Sequence, residues 1–240
     1  MQQCVAFPTA RRAPTVALKA MASPGASPES FTVACETRTG MVRRVNQDAV
    51  QASWIGGRLL LGIADGIGGH RTGEVASHLA LDVLRRSLVR DHAIPPVALA
   101  RGVARANAAI FEQASTHAAN HGMGTTLTAL LVDGDVAFLA HVGDSRAYLV
   151  RDGNLLRLTA DHTWVADRVR EGVLSRDEAR GHRWRNVITN ALGSGASFRL
   201  DVSHHVLRQD DRLLLLTDGV TTQLTEGRIA DLLRGRSAKE

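Results

Sequence analysis

The stretch RLLLGIADGIGGH, from Arg58 to His70, carries five aliphatic or alanine residues between Leu59 and Asp65. A short apolar run of this length predicts a buried strand, and Asp65-Gly66 falls where the strand runs out. The same order recurs at Asp211 to Val220, DRLLLLTDGV, where a second apolar run ends in Asp218-Gly219. Between them, GEVASHLALDVLRRSLV (Gly73 to Val89) places Val75, Leu79, Val83 and Leu84 on one side and Arg85 and Arg86 on the other, the pattern of an amphipathic helix. Asp91 to Pro96 breaks it, and Val97 to Ala114 reads as a second, alanine-rich helix.

Strand signals dominate elsewhere. VQASWIGGRLLLGIAD has Gly56-Gly57 between two runs, a hairpin signature. TLTALLVDGDVAFLAHVGDSRAYLVRDGNLLRLT contains apolar runs joined at Asp133-Gly134, Gly143-Asp144 and Asp152-Gly153, which predicts an antiparallel meander with Asp133 and Asp152 as turn formers. Asp161 to Arg185 breaks the pattern with a charged, partly helical insert carrying Arg176, Arg180, His182, Arg183 and Arg185. NVITNALG is strand-like again, and Phe198 to Leu207 and Arg212 to Leu216 supply two further strands. Helices flanking blocks of antiparallel strands predict a layered α+β sandwich rather than alternating βαβ units.

Composition trims this picture. The first 30 residues hold three basic residues, no acid before Glu29, and Pro, Ala and Ser throughout. That composition assigns 1–30 to a disordered tail outside the fold, with a faint transit-peptide flavour and an internal Met21 as a second possible start. No run of about 18 apolar residues spans a membrane. Two cysteines, Cys4 and Cys35, build neither a disulfide framework nor a zinc spacing, which favours a reducing compartment, the cytoplasm, and oxygen ligands for any metal. The net charge of +5 suits anionic partners, but the basic residues are scattered and aromatics make up 4% of the chain, so nucleic acid is disfavoured against a phosphorylated partner.

Asp65 and Asp218, each on the tip of a buried strand, suit a hard divalent cation if the two strands are neighbours. Taken singly, each Asp-Gly is ordinary turn chemistry. Arg43, Asn46 and Asp48 form a polar cluster that a solvated loop explains equally well, and His70 and His78 are weaker ligand candidates. The phosphate-loop pattern, the dinucleotide fingerprint and the Gly-x-Ser-x-Gly elbow are all absent.

The order of motifs is more specific than any one of them: GxxRxxNQDA from Gly40, ADGIGGH from Ala64, GTT from Gly124, VGDSRAYL from Val142, LTADHTWV from Leu158, RNVITNALG from Arg185 and LLLLTDGV from Leu213. Together they resemble the metal-dependent protein phosphatases (PPM), the type 2C serine/threonine phosphatases in their compact bacterial form, over about residues 31 to 235. The resemblance implies a four-layer αββα sandwich, two antiparallel sheets flanked by helices, with a binuclear Mn²⁺ or Mg²⁺ centre between the sheets. It assigns Asp65 as the bridging ligand, the Gly66 carbonyl to the second metal, Asp218 to the first, and Asp144 to a third, weaker metal. Arg43 matches the arginine that grips the substrate phosphate, and Asp48 the acid that orients the attacking water. The implied activity is hydrolysis of phosphoserine and phosphothreonine in proteins by a metal-activated water, opposing a bacterial Ser/Thr kinase. The expected partners are phosphoproteins, with no nucleic acid, no membrane and a monomeric state.

Three departures accompany the resemblance. Gln47 stands where many relatives have Glu, and Ile67 where some have a histidine. No Asp-Asn follows Asp218, so residues 31–240 read as a phosphatase domain that lacks its closing strand and one first-metal ligand, with a flap-like insert at 161–185. A shortened chain and a natural short variant both explain this. A catalytically impaired module that binds phosphoproteins is the alternative function. The missing strand is also expected to leave a sheet edge uncovered.

Overall fold

A computed structural model describes residues 15–21 as backbone and residues 31–40, 45–68 and 72–234 in full. Eleven strands are β1 (Thr15–Met21), β2 (Thr32–Arg38), β3 (Asp48–Ile55), β4 (Arg58–Ile67), β5 (Gly124–Thr125), β6 (Leu127–Asp133), β7 (Val136–Val142), β8 (Arg146–Arg151), β9 (Asn154–Arg157), β10 (Asp201–Val206) and β11 (Arg212–Leu216). Six helices are α1 (Thr72–Arg90), α2 (Pro95–Thr116), α3 (Trp164–Arg170), α4 (Arg176–Gly181), α5 (Asp218–Thr221) and α6 (Glu226–Leu233).

The strands form two antiparallel sheets. One has the order β2-β1-β11-β8-β9; the other runs β10-β7-β6-β4-β3, with β5 continuing beside the far end of β4. Period-two alternation sorts the side chains into layers. Leu59, Leu61 and Ile63 of β4 and Leu130 and Val132 of β6 face inward and meet Leu213 and Leu215 of β11 and Leu149 of β8 between the sheets. Their alternates, Leu60, Ala64, Leu127, Ala129 and Leu131, pack outward against Leu81 and Leu84 of α1 and Leu99, Val103 and Ile110 of α2. On the opposite outer face, Leu214, Leu216 and Tyr148 pack against Ile229 of α6. The result is the αββα layering that the sequence predicts. Gly56 and Gly57 both have positive φ (55° and 83°), the conformation a two-residue hairpin between β3 and β4 requires.

Four expectations are corrected. Residues 1–30 do not lie wholly outside the fold, because Thr15–Met21 forms β1 between β2 and β11, pairing Ala17 with both Glu36 and Leu216. The composition of the segment hides one alternating run, TVALKAM. For the same reason the β11 edge is not left bare, although no strand follows β11 among the described residues. The meander is interrupted at Gly143-Asp144: β7 belongs to one sheet and β8 to the other, so this turn crosses between sheets. Gly143 has φ 108°, and a Cβ there would stand 2.5 Å from Thr126 Cγ2. NVITNALG is not a strand but an irregular segment with single bridges at Ile188 and Leu192, because its backbone groups bond in turn to three separate places, Trp164, His162 and Thr125, rather than to one neighbouring strand.

Candidate active site

The inter-sheet core ends where both apolar runs end. Asp65, near the end of β4, stands directly opposite Asp48 on β3, and Asp218 opens α5 two residues after β11. The crossing turn delivers Asp144 to the same place. Two backbone-positioning systems hold these residues. Thr126 Oγ1 accepts the Asp65 N–H (2.9 Å) and bonds Ser145 Oγ (2.9 Å), so the tip of β4 and the crossing turn share one hydroxyl. The Asp65 carbonyl accepts Thr126 N–H and Thr125 Oγ1, both at 2.9 Å. Across the sheets, Thr217 Oγ1 donates to Asp48 Oδ2 (3.0 Å), tying β3 to the end of β11.

Glycine is required beside the carboxylates. Gly66 N–H donates to the Gln47 carbonyl (3.0 Å), and a Cβ on Gly66 would lie 2.1 Å from the Gly73 carbonyl at the start of α1. The first turn of that helix is thereby pressed onto the Asp65-Gly66 strand tip.

The electrostatics are unusual for a soluble surface. Burial first, then the charges of Asp48, Asp218 and Asp144, push the Asp65 carboxyl well above the usual carboxylate range, and Asp218 lies within hydrogen-bonding reach of it. Burial, with Asp218 and Asp161 adding to it, pushes Asp144 up to about 7. Asp144 Oδ1 is buried and has no hydrogen-bond partner. Arg146, two residues along, offsets this only in part, because its guanidinium forms a fork on Asp161, Nε to Oδ1 at 3.1 Å and Nη2 to Oδ2 at 2.8 Å. Four carboxylates therefore converge on one end of the sandwich, and the charges acting most strongly on Asp65 are all of its own sign. Proteins tolerate such packing where a cation completes it. An all-oxygen donor set is the chemistry of Mg²⁺ or Mn²⁺. Among the described residues no three acidic, histidine or cysteine side chains form a finished ligand cage, so waters or substrate oxygens would supply the remaining ligands.

Asp48, Asp65, Gly66, Asp144 and Asp218 are thus brought together. Arg43 and His70 lie outside the described residues. His78 is exposed on α1 and takes no part. Sequence reasoning missed Thr125, Thr126, Ser145, His141 and His162, all buried. For Thr125, Thr126 and His141 the signal was available as small hydroxyls and a histidine in or beside apolar strand text; Ser145 and His162 lie outside the strands and carried none. His141 Nδ1 bonds Thr128 Oγ1 (2.9 Å) and its Nε2 lies 3.1 Å from the Ala160 carbonyl; burial lowers it to about 4, so it is neutral.

Comparison with known proteins converges on one family. The family described as "Protein phosphatase 2C" matches residues 41–237. The serine/threonine protein phosphatase PstP of Mycobacterium tuberculosis is 38% identical over 202 residues, which is 84% of this chain and 38% of PstP. The chain thus spans well under half the length of that relative. The crystal structure of the M. tuberculosis PstP phosphatase superposes with TM-score 0.77 at 33% identity, covering 93% of this chain and 88% of the other. A PstP catalytic domain solved with two manganese ions gives TM-score 0.73 at 32% identity, covering 94% and 87%.

Proposed function

The chain belongs to the protein phosphatase 2C family, and from that premise we propose that it hydrolyses phosphoserine and phosphothreonine in proteins, with Mn²⁺ or Mg²⁺ as cofactor. The observation that carries the reading is the convergence of Asp48, Asp65, Asp144 and Asp218 at one end of the sandwich, where Arg146, beside Asp144, commits its guanidinium to Asp161. Asp65, Asp218 and the Gly66 carbonyl would hold two cations, and Asp144 a third and weaker one. When bound, the cations neutralise charge on the phosphoryl oxygens and lower the pKa of water.

The remaining work falls to this chain's own groups. Arg43 presents a forked donor to the phosphate oxygens and fixes the phosphoryl group in the site. Asp48, held by Thr217, orients the attacking water for in-line approach to phosphorus. The Thr126–Ser145 hydroxyl pair keeps Asp65 and the crossing turn in register, so the carboxylates meet substrate without rearrangement. Residues 161–185 form a flap beside the site whose arginines draw acidic phosphopeptides. The protein substrates are those of a bacterial Ser/Thr kinase, and the enzyme acts in the cytoplasm as a monomer. No helix among the described residues is long and apolar enough to cross a membrane.

The test is hydrolysis of a phosphothreonine peptide by the 240-residue chain with Mn²⁺, then with chelator, using Asp65→Asn as control. Chelator-sensitive turnover that disappears in the variant is the expected result. Full turnover in Asp65→Asn would overturn the assignment. Mn²⁺-dependent phosphopeptide binding with no turnover in folded wild-type protein would select the binding module instead.

A further inference from the structure

His162 is fully buried, and every polar group it owns is committed. Its backbone N–H donates to the Gly143 carbonyl (2.7 Å), and the Gly143 N–H donates back to its Nδ1 (3.2 Å). Both backbone hydrogen-bonding groups of Gly143 are therefore taken by one residue 19 positions downstream. Asn190 fixes the ring's tautomer. Its Oδ1 accepts the Arg199 N–H (2.9 Å), so its amide nitrogen faces His162 and donates to Nδ1 at 2.7 Å. With two donors aimed at it, Nδ1 carries no proton. The proton sits on Nε2, which donates to Asp201 Oδ2 at 3.0 Å. The carbonyl of His162 accepts Thr189 N–H (2.9 Å), closing the cluster.

The clamp acts on one side of the crossing turn, and the β6 hydroxyls act on the other. Thr126 Oγ1 bonds Ser145 Oγ, and Thr128 Oγ1 donates to the Ser145 carbonyl at 3.2 Å. Asp144 stands between these two fixed neighbours with Oδ1 buried and unpartnered. With its position set by the flanking peptides, that oxygen is free to bond something else.

We propose that His162 is a positioning residue: its imidazole fixes the Gly143 peptide, which holds the Asp144 carboxylate in place for a divalent cation. The inference rests on the metal-site reading above. It also gives residues 161–185 a mechanical link to that site, since the clamp immediately precedes Thr163, the N-cap of α3, whose Oγ1 accepts the Ala166 N–H at 3.3 Å.

Calorimetric titration of the full chain with Mn²⁺ tests it without reference to turnover. In His162→Gln the oxygen and nitrogen of the amide fall near the Nε2 position, and the acceptor for Gly143 is lost. The weakest Mn²⁺ event should weaken about 10–100-fold, the size typical of a lost outer-shell partner, with the tighter events unchanged. His162→Asn, whose Oδ1 falls near the Nδ1 position, should restore most of the affinity. In an Asp144→Asn background His162→Gln should add nothing further.

A weak event that survives unchanged in folded His162→Gln overturns the proposal. So does an equal loss at every event together with a lowered melting temperature that His162→Asn does not repair, which is the mark of a purely structural histidine. If His162→Gln does not fold, Asp201→Ala takes its place. Asp201 is 47% exposed, so its loss should disturb the fold less than loss of the buried ring. It should weaken the same event several-fold, and an unchanged affinity would be equally fatal. Unaltered Mn²⁺ binding in Asp65→Asn would sink the metal-site reading itself, a result distinct from failure at His162.

Discussion

Two acid-rich regions of this molecule treat their carboxylates in opposite ways. In residues 161–185 and their surroundings each acid has a nearby cation or donor. Asp167 pairs with Arg170 (2.8 Å) and accepts Thr189 Oγ1; Glu171 pairs with Arg168; Asp177 with Arg180; and Glu178 closes a capping box on Ser175. Although partial burial opposes it, hydrogen bonds from Thr189 and Arg170 hold Asp167 below the usual range. At the strand tips the acids face one another, and Asp65 and Asp144 are raised. The residue type is the same; what differs is whether the chain supplies the counter-charge itself. A region that neutralises its own acids needs no cation to hold them, and one that leaves them facing each other expects the charge from outside.

The sharpest way to break this contrast is to remove a charge from each region. Asp65→Asn should lower chelator-sensitive phosphopeptide turnover by on the order of 10³-fold or more, the equivalent of several kcal/mol of lost transition-state stabilisation. The circular dichroism spectrum should be unchanged.

Asp144→Asn should stabilise the metal-free protein. Its folded pKa, about 7, lies above the ordinary 3.8, so the unfolded chain releases this proton first and stability drains away as pH rises between those values. Urea unfolding in chelator should therefore show the variant more stable by about 2–4 kcal/mol at pH 8, with no difference below about pH 4. Mn²⁺ should shrink the gap. A variant less stable than wild type at pH 8 in chelator would show that the site carries its own neutralising charge.

Arg43→Ala should raise KM about 10–100-fold, the worth of a charged hydrogen bond, and leave metal-free unfolding unmoved. A large fall in metal-free stability instead would identify Arg43 as an internal counter-ion and dissolve the comparison from the other side. The smallest effect belongs to Asp167→Asn. Its pairs are solvent-screened, so the loss at neutral pH should be under about 1 kcal/mol. The sign is opposite to Asp144: the contribution is present above the ordinary carboxylate pKa and vanishes as pH falls through the lowered one.

Much of the site could be read before any coordinates, for a physical reason. Asp65 and Asp218 lie within two residues of strand ends, and a buried strand announces its end by where the apolar run stops. Both helices and the β3–β4 hairpin follow from local periodicity in the same way. Gly143-Asp144 misled because a glycine-aspartate pair reads identically whether the chain folds back beside its own strand or crosses to the other sheet. That choice is made by Thr126 and His162, distant in sequence. β1 was lost because thirty residues of tail-like composition averaged away seven of alternating pattern. His162 was invisible because a buried histidine in DHTW carries no pattern of its own; its meaning comes from Gly143, Asn190 and Asp201.

The position of β1 also sets a schedule for folding. The six-stranded sheet contains two hairpins that close within a few residues, β3–β4 and β6–β7, whereas β1 and β11 pair across about 200 residues, a closure that costs on the order of 5 kcal/mol in chain entropy. During synthesis at about 5–20 residues per second, β1 waits on the order of 10–40 s for β11 to be made. It can pair early with β2, but its other edge stays open through that interval, a template for any passing strand. The late and error-prone step in making this protein is therefore the seam at Ala17–Leu216, and Leu216 lies two residues before the Asp218 carboxylate.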